Sequence, residues 1–566
     1  MNKKTLLTLC LAIATVHYLN AQSFEAAATA VKNMKIGWNL GNTLEAHSQK
    51  NLDPTKDNFW GQQGLDSENC WGQPNVRPAL FKMMKEAGFG AIRVPVTWYN
   101  HMDKNGKVNT TWMARVKEVV DAVLAQGLYC IINVHHDTGA DESGKYYHWI
   151  KASGDNYNSN KERYEYLWKQ IAEEFKDYDQ FLLFESYNEM LDKYGSWNYA
   201  SAARSGGYNS TDADDAYDAV NKYAQSFVNV VRATGGKNAQ RNLVVNTYGA
   251  CSGSGTWNSH LQDPLKKMAL PTDAASNHLI FQIHAYPGLK KNNLSSIKQE
   301  VTTMMGNLKS ILAAKGAPVI IGEWGTIDDD SDVNYRDNNA NYLSFCKHFV
   351  EKAKENDITT FYWMGLSDGS NRSLPVFNQP DLAETIINAY YGSTSGFIFP
   401  TRDNLSTVYD ITFNSQWTEL NLVSSTINTS AYKGLELELE EEPSKNAFQF
   451  KVYPTGKTVS ISSAKSTLTF SSDMGTSISR ITLQSCLASN TTTVESVNLI
   501  KTDGTKIKSD ISPFWGCVVD ERVITGITPV RTTKLRSKYI YDLRGQRMTN
   551  PQRGIYIQNG KKYITK

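Results

Sequence analysis

The chain has 566 residues, with 59 Lys and Arg against 57 Asp and Glu and a formal net charge of +2. So even a balance implies neither a nucleic-acid partner nor an acidic surface as target. At roughly 150 residues per domain, the length excludes one small domain and calls for several, or for one large barrel with accessories.

In chain order, Met1–Lys4 is a short basic start, Thr5–Val16 is apolar, and Leu19-Asn20-Ala21 precedes Gln22. This pattern predicts a secretory signal peptide over residues 1–21. Its apolar run is too short to span a bilayer. Thr8 and Leu9, ahead of Cys10, do not suit a lipidation site. No later stretch reaches transmembrane length, so the processed chain is expected to be secreted or held at the cell surface, with no membrane span.

From Lys35 to Gly392 short apolar runs alternate with amphipathic stretches. The strands are expected at Lys35–Leu40, Gly90–Pro95, Leu128–Val134, Phe181–Tyr187, Leu243–Thr247, Leu279–His284, Val319–Gly322 and Thr360–Trp363. Helical periodicity falls between them, at Asn75–Ala87, Thr111–Ala125, Lys161–Phe175, Asp214–Ala233, Leu294–Ala314, Arg336–Glu355 and Asp381–Tyr391. The link after the fifth strand is irregular, with at most a short helix near Asp263–Met268. Eight buried strands alternating with helices imply an α/β fold, a closed (β/α)8 TIM barrel over residues 22–392. The loops Glu45–Gln73, Asp137–Asn160 and Met190–Thr211 are expected at its catalytic face.

Composition changes after Gly392. Ser393–Gly396 is Gly/Ser/Thr-rich, and residues 393–408 are expected as a linker. Short alternating segments such as Ile411–Phe413, Leu420–Leu422, Leu435–Leu439, Phe448–Val452 and Ile478–Leu483 predict an all-β sandwich module over residues 409–525. Its Trp417 and Trp515 are either core or a stacking platform. The basic tail, 526–566, is expected to be β-rich, with a hairpin turn at Asn559-Gly560, and to act as an address or anchor. Apart from Cys10 there are six cysteines, in no zinc-like spacing. Export permits a Cys486–Cys517 disulfide, while Cys130 and Cys346 fall on buried elements.

Two stretches carry the chemistry. Phe181–Glu189 reads FLLFESYNE and Pro318–Gly325 reads PVIIGEWG. Each is a buried strand with a glutamate at its C-terminal end, where a barrel assembles its site. Two such carboxyls are what glycosidic bond cleavage requires, one to protonate the leaving oxygen and one to attack or to activate water. The other strand ends add Asn39, Arg93, His135, His136, Asn188, His284, Tyr286 and Trp363. Arg93 is suited to hold a carboxylate ionised, or to pair with Glu185. His284 and Tyr286 alternate on one face, Asn188 offers a hydrogen bond to a ring hydroxyl, and Trp363 offers a stacking floor. His135-His136-Asp137 invites a metal reading, but neighbours on a strand point to opposite faces, so no metal and no cofactor are expected.

The segments GWNLGNTLE, IRVPVTW, IINVHHD, FESYNE and IGEWG, in this order and spacing, resemble glycoside hydrolase family five over about Lys35–Gly392. The resemblance implies retaining hydrolysis, with Glu189 as acid/base and Glu323 as nucleophile. It places Arg93, His136, Asn188, His284, Tyr286 and Trp363 at the family's other active-site positions, with His135 less closely matched. GWNLGNTLE and NVHHD look most like endo-β-1,4-glucanases, and the expected partner is a β-glucan or related plant cell-wall polysaccharide acted on by a monomer. Mannanase, xyloglucanase and licheninase activities, or an inactive carbohydrate-binding surface protein, are the alternatives. Met364-Gly365-Leu366 after Trp363 departs from the family's pattern. The tail, with YDLRGQR and GIYIQNGKK, resembles sorting segments of secreted Bacteroidetes proteins.

Overall fold

The computed structural model describes residues 24–47, 64–139, 148–290, 292–326, 339–402, 405–423, 425–509 and 511–525, with four short strands beyond 539. Residues 1–21 and parts of the loops expected at the catalytic face lie outside them. The chain divides into two compact units, residues 1–401 and 402–566. Among the described residues, no helix is long and apolar enough to cross a membrane.

The first unit opens with α1 (Ala27–Met34) and β1 (Gly37–Asn39), followed by α2 (Pro78–Glu86), β2 (Ala91–Val94), α3 (Thr110–Leu124) and β3 (Tyr129–Asn133). Next come α4 (Gly154–Glu174), β4 (Leu182–Glu185), α5 (Ser210–Ala233), β5 (Leu243–Asn246), the short α6 (Asp263–Lys267) and β6 (Leu279–Ala285). The unit closes with α7 (Leu294–Asn307), β7 (Val319–Trp324), α8 (Asn339–Glu355), β8 (Thr359–Tyr362), the single turn α9 (Ser370–Ser373) and α10 (Pro380–Tyr391). Strands β1 to β8 pair in order, all parallel, and β8 returns to β1 to close the barrel. Sequence cues fix the helix ends. Asn109 caps α3 by accepting from the Thr111 and Trp112 N–H groups, and Gly392, left-handed at φ 78°, stops α10. The helix expected to run to Ala314 is α-helical only to Asn307 and continues as a π turn and a 3-10 turn to Lys315.

Alternation along each strand builds the interior in two layers. Ala91, Tyr129, Ile131, Leu183, Val244, Ile280, Ile320 and Phe361 fill the end where the strands begin, and Ala27, Ala30, Val31 and Met34 of α1 plug it. Towards the strand ends the inward positions turn polar: Asn39, Arg93, Asn133, Glu185, Asn246 and Gln282 are all fully buried. The outward residues pack against the helices in the larger core. Residues 393–401 lie against the barrel, where the Ile398 N–H donates to the Glu86 carbonyl and the Phe377 N–H to that of Pro400.

The second unit contains β9 (Leu405–Phe413), β10 (Glu419–Val423), β11 (Ile427–Asn428), β12 (Tyr432–Leu439), β13 (Phe448–Tyr453), β14 (Lys457–Ile461) and β15 (Lys465–Thr469). It continues with β16 (Ser477–Ile478), β17 (Arg480–Ser485), β18 (Asn490–Lys501), β19 (Lys506–Lys508), β20 (Ser512–Trp515) and β21 (Cys517–Thr525). One sheet has the order β14-β13-β17-β10-β20, another β15-β12-β18-β9-β21 with β19 on β18, and β11 pairs β16. Leu420, Leu422, Phe450, Leu483, Leu437 and Val497, drawn from both large sheets, share one core, which makes the module a sandwich. The expected Cys486–Cys517 disulfide is not formed. Both thiols are free, and the Cys517 Sγ instead contacts the Glu419 carbonyl at 3.2 Å. In the tail β22 (Ile540–Tyr541), β23 (Arg547–Met548), β24 (Gly554–Gln558) and β25 (Lys561–Thr565) form a small antiparallel sheet. Gln558 faces Lys561, the register of a two-residue connection, and that turn, Asn559-Gly560, lies outside the described residues.

Gly37 tests the packing of the barrel interior. A Cβ there would sit 2.1 Å from Cδ1 of the buried Phe361 ring. Gly37→Ala is expected to destabilise the barrel by about 1–3 kcal/mol through overpacking, read as a lower denaturant midpoint with an unchanged slope.

Candidate active site

The site is built on Arg93. Its side chain is fully buried, and all five N–H groups are spent. Nε and Nη2 donate to the two oxygens of Glu185, at 2.6 and 2.7 Å. Nη1 donates to Glu323 Oε1 at 2.8 Å and to Asn39 Oδ1 at 3.0 Å, and Nη2 also reaches Asn188 Oδ1 at 2.8 Å. Both expectations for Arg93 therefore meet in one residue: it pairs with Glu185 and holds a strand-end glutamate. Burial alone would raise Glu185, but Arg93 overrides it and holds the carboxyl below its ordinary range. Asn133 and Asn246 add donors to Glu185 Oε1, at 3.1 and 3.2 Å.

Glu323 sits on β7, two residues further into the strand than expected, beside a register slip. Ile283 pairs with Ile321, yet His284 pairs with Glu323, so Gly322 is the extra residue. Such bulges re-aim side chains next to active sites. Here the bulge sets Glu323 beside His284. Oε1 of Glu323 accepts from Arg93 and Oε2 from the Tyr286 hydroxyl at 2.7 Å. That is the acceptor pattern of a carboxylate.

Glu189 lies four residues past the end of β4, with its side chain 21% exposed. Its Oε1 contacts His284 Nδ1 at 2.8 Å. Burial pushes the Glu189 carboxyl up to about 7, against the pull of Arg93 and with help from the negative charge of Glu185. Burial depresses His284 to about 4, so its ring is neutral at pH 7. The tautomer with the proton on Nδ1 suits both contacts: it donates to Glu189, while Nε2 faces the Gln282 amide nitrogen at 3.5 Å. Oε2 of Glu189 is then left to carry a proton. The donor atoms of Glu189, His284 and Glu323 all lie within 4.8 Å of one another.

The remaining residues separate into two groups. Trp363 and His135 present parallel rings, with centroids 6.0 Å apart, and Asn133 donates to His135 Nδ1, leaving Nε2 3.9 Å from Glu323 Oε1. Since Arg93 can only donate, Asn188 must turn its oxygen to it, which frees the Asn188 amide N–H groups for a substrate hydroxyl. His136 belongs to an aromatic cluster with His47 and Trp71, and burial holds its ring well below the ordinary range. Asn39 does not reach the cleft: its amide is committed to Arg93, to the Gly322 carbonyl and to that of Phe361. Nor does Trp324 line the cleft, since it stacks on Phe349 of α8 in the core. His135, His136 and Asp137 do not converge on an ion, because the Asp137 oxygens accept from the Trp98 N–H and from Trp149 Nε1. Among the described residues, the donor atoms close enough to share an ion are those of Glu189, His284 and Glu323.

A cavity of about 760 Å³ opens on the Glu189 side. His284 and Tyr286 form its inner wall and the exposed Trp197 and Trp257 stand among its lining residues. Neither tryptophan was singled out from the sequence. Trp197 falls in the Met190–Thr211 loop expected at this face, and Trp257 in the irregular link after β5.

A closed barrel whose strand ends bring two carboxyls together in a cleft is the arrangement of a glycosidase. Residues 52–368 match the family model described as cellulase (glycosyl hydrolase family 5). The chain is 57% identical to a broad-specificity family 5 endoglucanase from an uncultured bacterium, covering 66% of this chain and 98% of that one with a TM-score of 0.62. It is 39% identical to a family 5 enzyme of Prevotella bryantii B14 solved with a xyloglucan tetradecasaccharide, over 65% of this chain and 99% of that one, with a TM-score of 0.54. Endoglucanase B of Neocallimastix patriciarum is 30% identical over 365 residues, 62% of this chain and 68% of that protein. The chain belongs to glycoside hydrolase family 5.

Arg93→Met would leave Glu185 and Glu323 buried without their counter-charge. It is expected to cost about 3–5 kcal/mol of stability, measured by chemical denaturation, whereas Asn188→Ala should lower turnover with a much smaller stability change.

Proposed function

We propose that the chain is a secreted, retaining endo-β-1,4-glucanase, with Glu323 as nucleophile and Glu189 as acid/base. The observation that carries this reading is that one carboxyl oxygen of Glu189 and one of Glu323 come within 4.8 Å of each other. Retaining enzymes keep their carboxyls roughly 5–5.5 Å apart, whereas inverting ones leave about 6.5–9.5 Å for a water molecule. Glu323, tied by Arg93 and Tyr286, attacks the anomeric carbon. Glu189 gives its Oε2 proton to the departing oxygen, so that the C–O bond breaks as the glycosyl–Glu323 ester forms. Water then enters, loses a proton to Glu189 and releases the sugar from Glu323. The cavity beside Glu189 lies on the side of the leaving group, and Trp363 and His135 underlie the sugar that is attacked.

The endo mode and the glucan substrate are supported by relatives whose names state endoglucanase activity. The xyloglucan complex of the Prevotella enzyme supports branched glucans as further substrates. Export by residues 1–21, with the tail as an address, completes the reading; it rests on the sequence pattern alone.

The pH profile tests the assignment. Glu189 must be protonated to act as acid, and its carboxyl is raised to about 7. Turnover should therefore decline as pH rises through about 7. Glu189→Gln should remove that limb and lower turnover on polymeric glucan by about 100- to 10,000-fold, with far less effect on the first step with an aryl glycoside whose leaving group needs no proton. Unchanged turnover of this variant on glucan would contradict the assignment.

A further inference from the structure

The second unit carries a surface that no part of the catalytic reading uses. In its five-stranded sheet, Leu420, Leu422, Phe450, Val452, Ile481 and Leu483 face the core. Their alternates, Glu419 and Asn421 of β10, Lys451 and Tyr453 of β13, and Thr482 and Gln484 of β17, lie on the opposite face, where Lys451 and Tyr453 are partly exposed and the other four are buried. Glu419 is only 3% exposed. It accepts from Lys451 Nζ, the Tyr453 hydroxyl, the Thr482 hydroxyl and Gln484 Nε2, at 2.8, 2.7, 2.9 and 2.8 Å. This carboxylate contributes nothing to the apolar core; it fixes the outward side chains in place.

The edge strand adds flat rings to the same face. Trp515 pairs with Glu419 and Pro513 with Leu420, so the register slips by one residue and Phe514 is the extra one. Trp515 shares the outer face with its partner Glu419. The bulge brings Phe514 there too, against the Arg480 guanidinium, 3.8 Å from the ring centroid, and edge-on to Tyr453. Phe514 and Trp515 remain 42% and 56% exposed. Two buried polar atoms on this face have no partner, Oδ1 of Asn421 and Nε of Arg480, and Asn421 is itself only 6% exposed.

Exposed flat rings, with the partly exposed Lys451 and Tyr453 beside them, suit a pyranose, which has apolar C–H faces and a rim of hydroxyls. Glu419 and Lys451 neutralise each other, which leaves the single positive charge of Arg480, held against Phe514, and, among the described residues, no basic cluster on this face to attract a polyanion. Pro513 in the edge strand lacks an N–H and blunts the addition of a peptide strand. We propose that the outer face of this sheet, with Trp515, Phe514 and Tyr453 over the Glu419–Gln484 network, binds a neutral β-linked glucan chain by ring stacking. The choice of β-glucans as probes rests on the catalytic reading, and the test keeps the two apart.

The test uses affinity electrophoresis of the full chain in gels holding hydroxyethylcellulose or xyloglucan, with Glu323→Gln added to prevent digestion. Replacing Phe514 and Trp515 together by Ala should weaken binding to at least one of these glucans about tenfold, and Trp515→Phe, which keeps a flat ring, should retain most of it. With Glu323 intact, the double variant should hydrolyse a soluble cello-oligosaccharide at the parent rate, which reads the cleft independently. Equal retardation of parent and double variant in both gels, or Trp515→Phe binding as poorly as Trp515→Ala, would overturn the proposal.

Discussion

The catalytic unit depends on one buried guanidinium. Arg93 spends every donor it has on Glu185, Glu323, Asn39 and Asn188. Taking a charge out of water costs several kcal/mol per ion, and an ion pair offsets this only with near-complete hydrogen bonding. The planar, five-donor fork of arginine supplies that bonding; a lysine ammonium, with three donors, would leave two of these contacts unmade. The same residue thus keeps two carboxylates inside the barrel and aims one of them at the cleft. Glu189, outside this clamp, is left to burial, and its carboxyl rises to about 7. Two glutamates a few ångströms apart are thereby placed in different electrostatic surroundings, because only one is bonded to the arginine, and the proposed division of roles rests on that difference.

The polar layer beneath the cleft explains why so many side chains near the site never meet the substrate. Asn39, Asn133, Asn246 and Gln282 occupy the inward positions just below the strand ends. Asn133 orients His135, Asn246 bonds Glu185 and the Asn188 carbonyl, and Asn39 ties Arg93 to the backbone of β7 and β8. In the proposed mechanism, the groups that hold Glu189 and Glu323 in register matter alongside the carboxyls themselves, since small displacements are costly in rate.

Much of this was legible in the sequence. Buried parallel strands are continuous apolar runs, so all eight stood out, and a glutamate at the tip of such a run marks itself. What was not legible arises from contacts distant in the chain. The register slip at Gly322 depends on how β7 meets β6. The inward turn of Asn39 shows only once β1 closes against β8. Trp324 directly follows Glu323, yet alternation sends it into the core against Phe349. The disulfide idea failed for a similar reason: two cysteines permitted to pair by compartment are placed by the strands that carry them, and Cys517 contacts a carbonyl of β10 instead. Trp417 and Trp515, undecided between core and platform, are both substantially exposed.

The central claim is that Glu323, held by Arg93 and Tyr286, forms the bond to sugar. It is tested most directly by incubating the protein with a 2-deoxy-2-fluoro-β-cellobioside bearing a good leaving group, then mapping the adduct by peptide mass spectrometry. The account predicts a stoichiometric fluoroglycosyl ester on Glu323. A label on Glu189, or no covalent adduct together with product of inverted anomeric configuration, would contradict it.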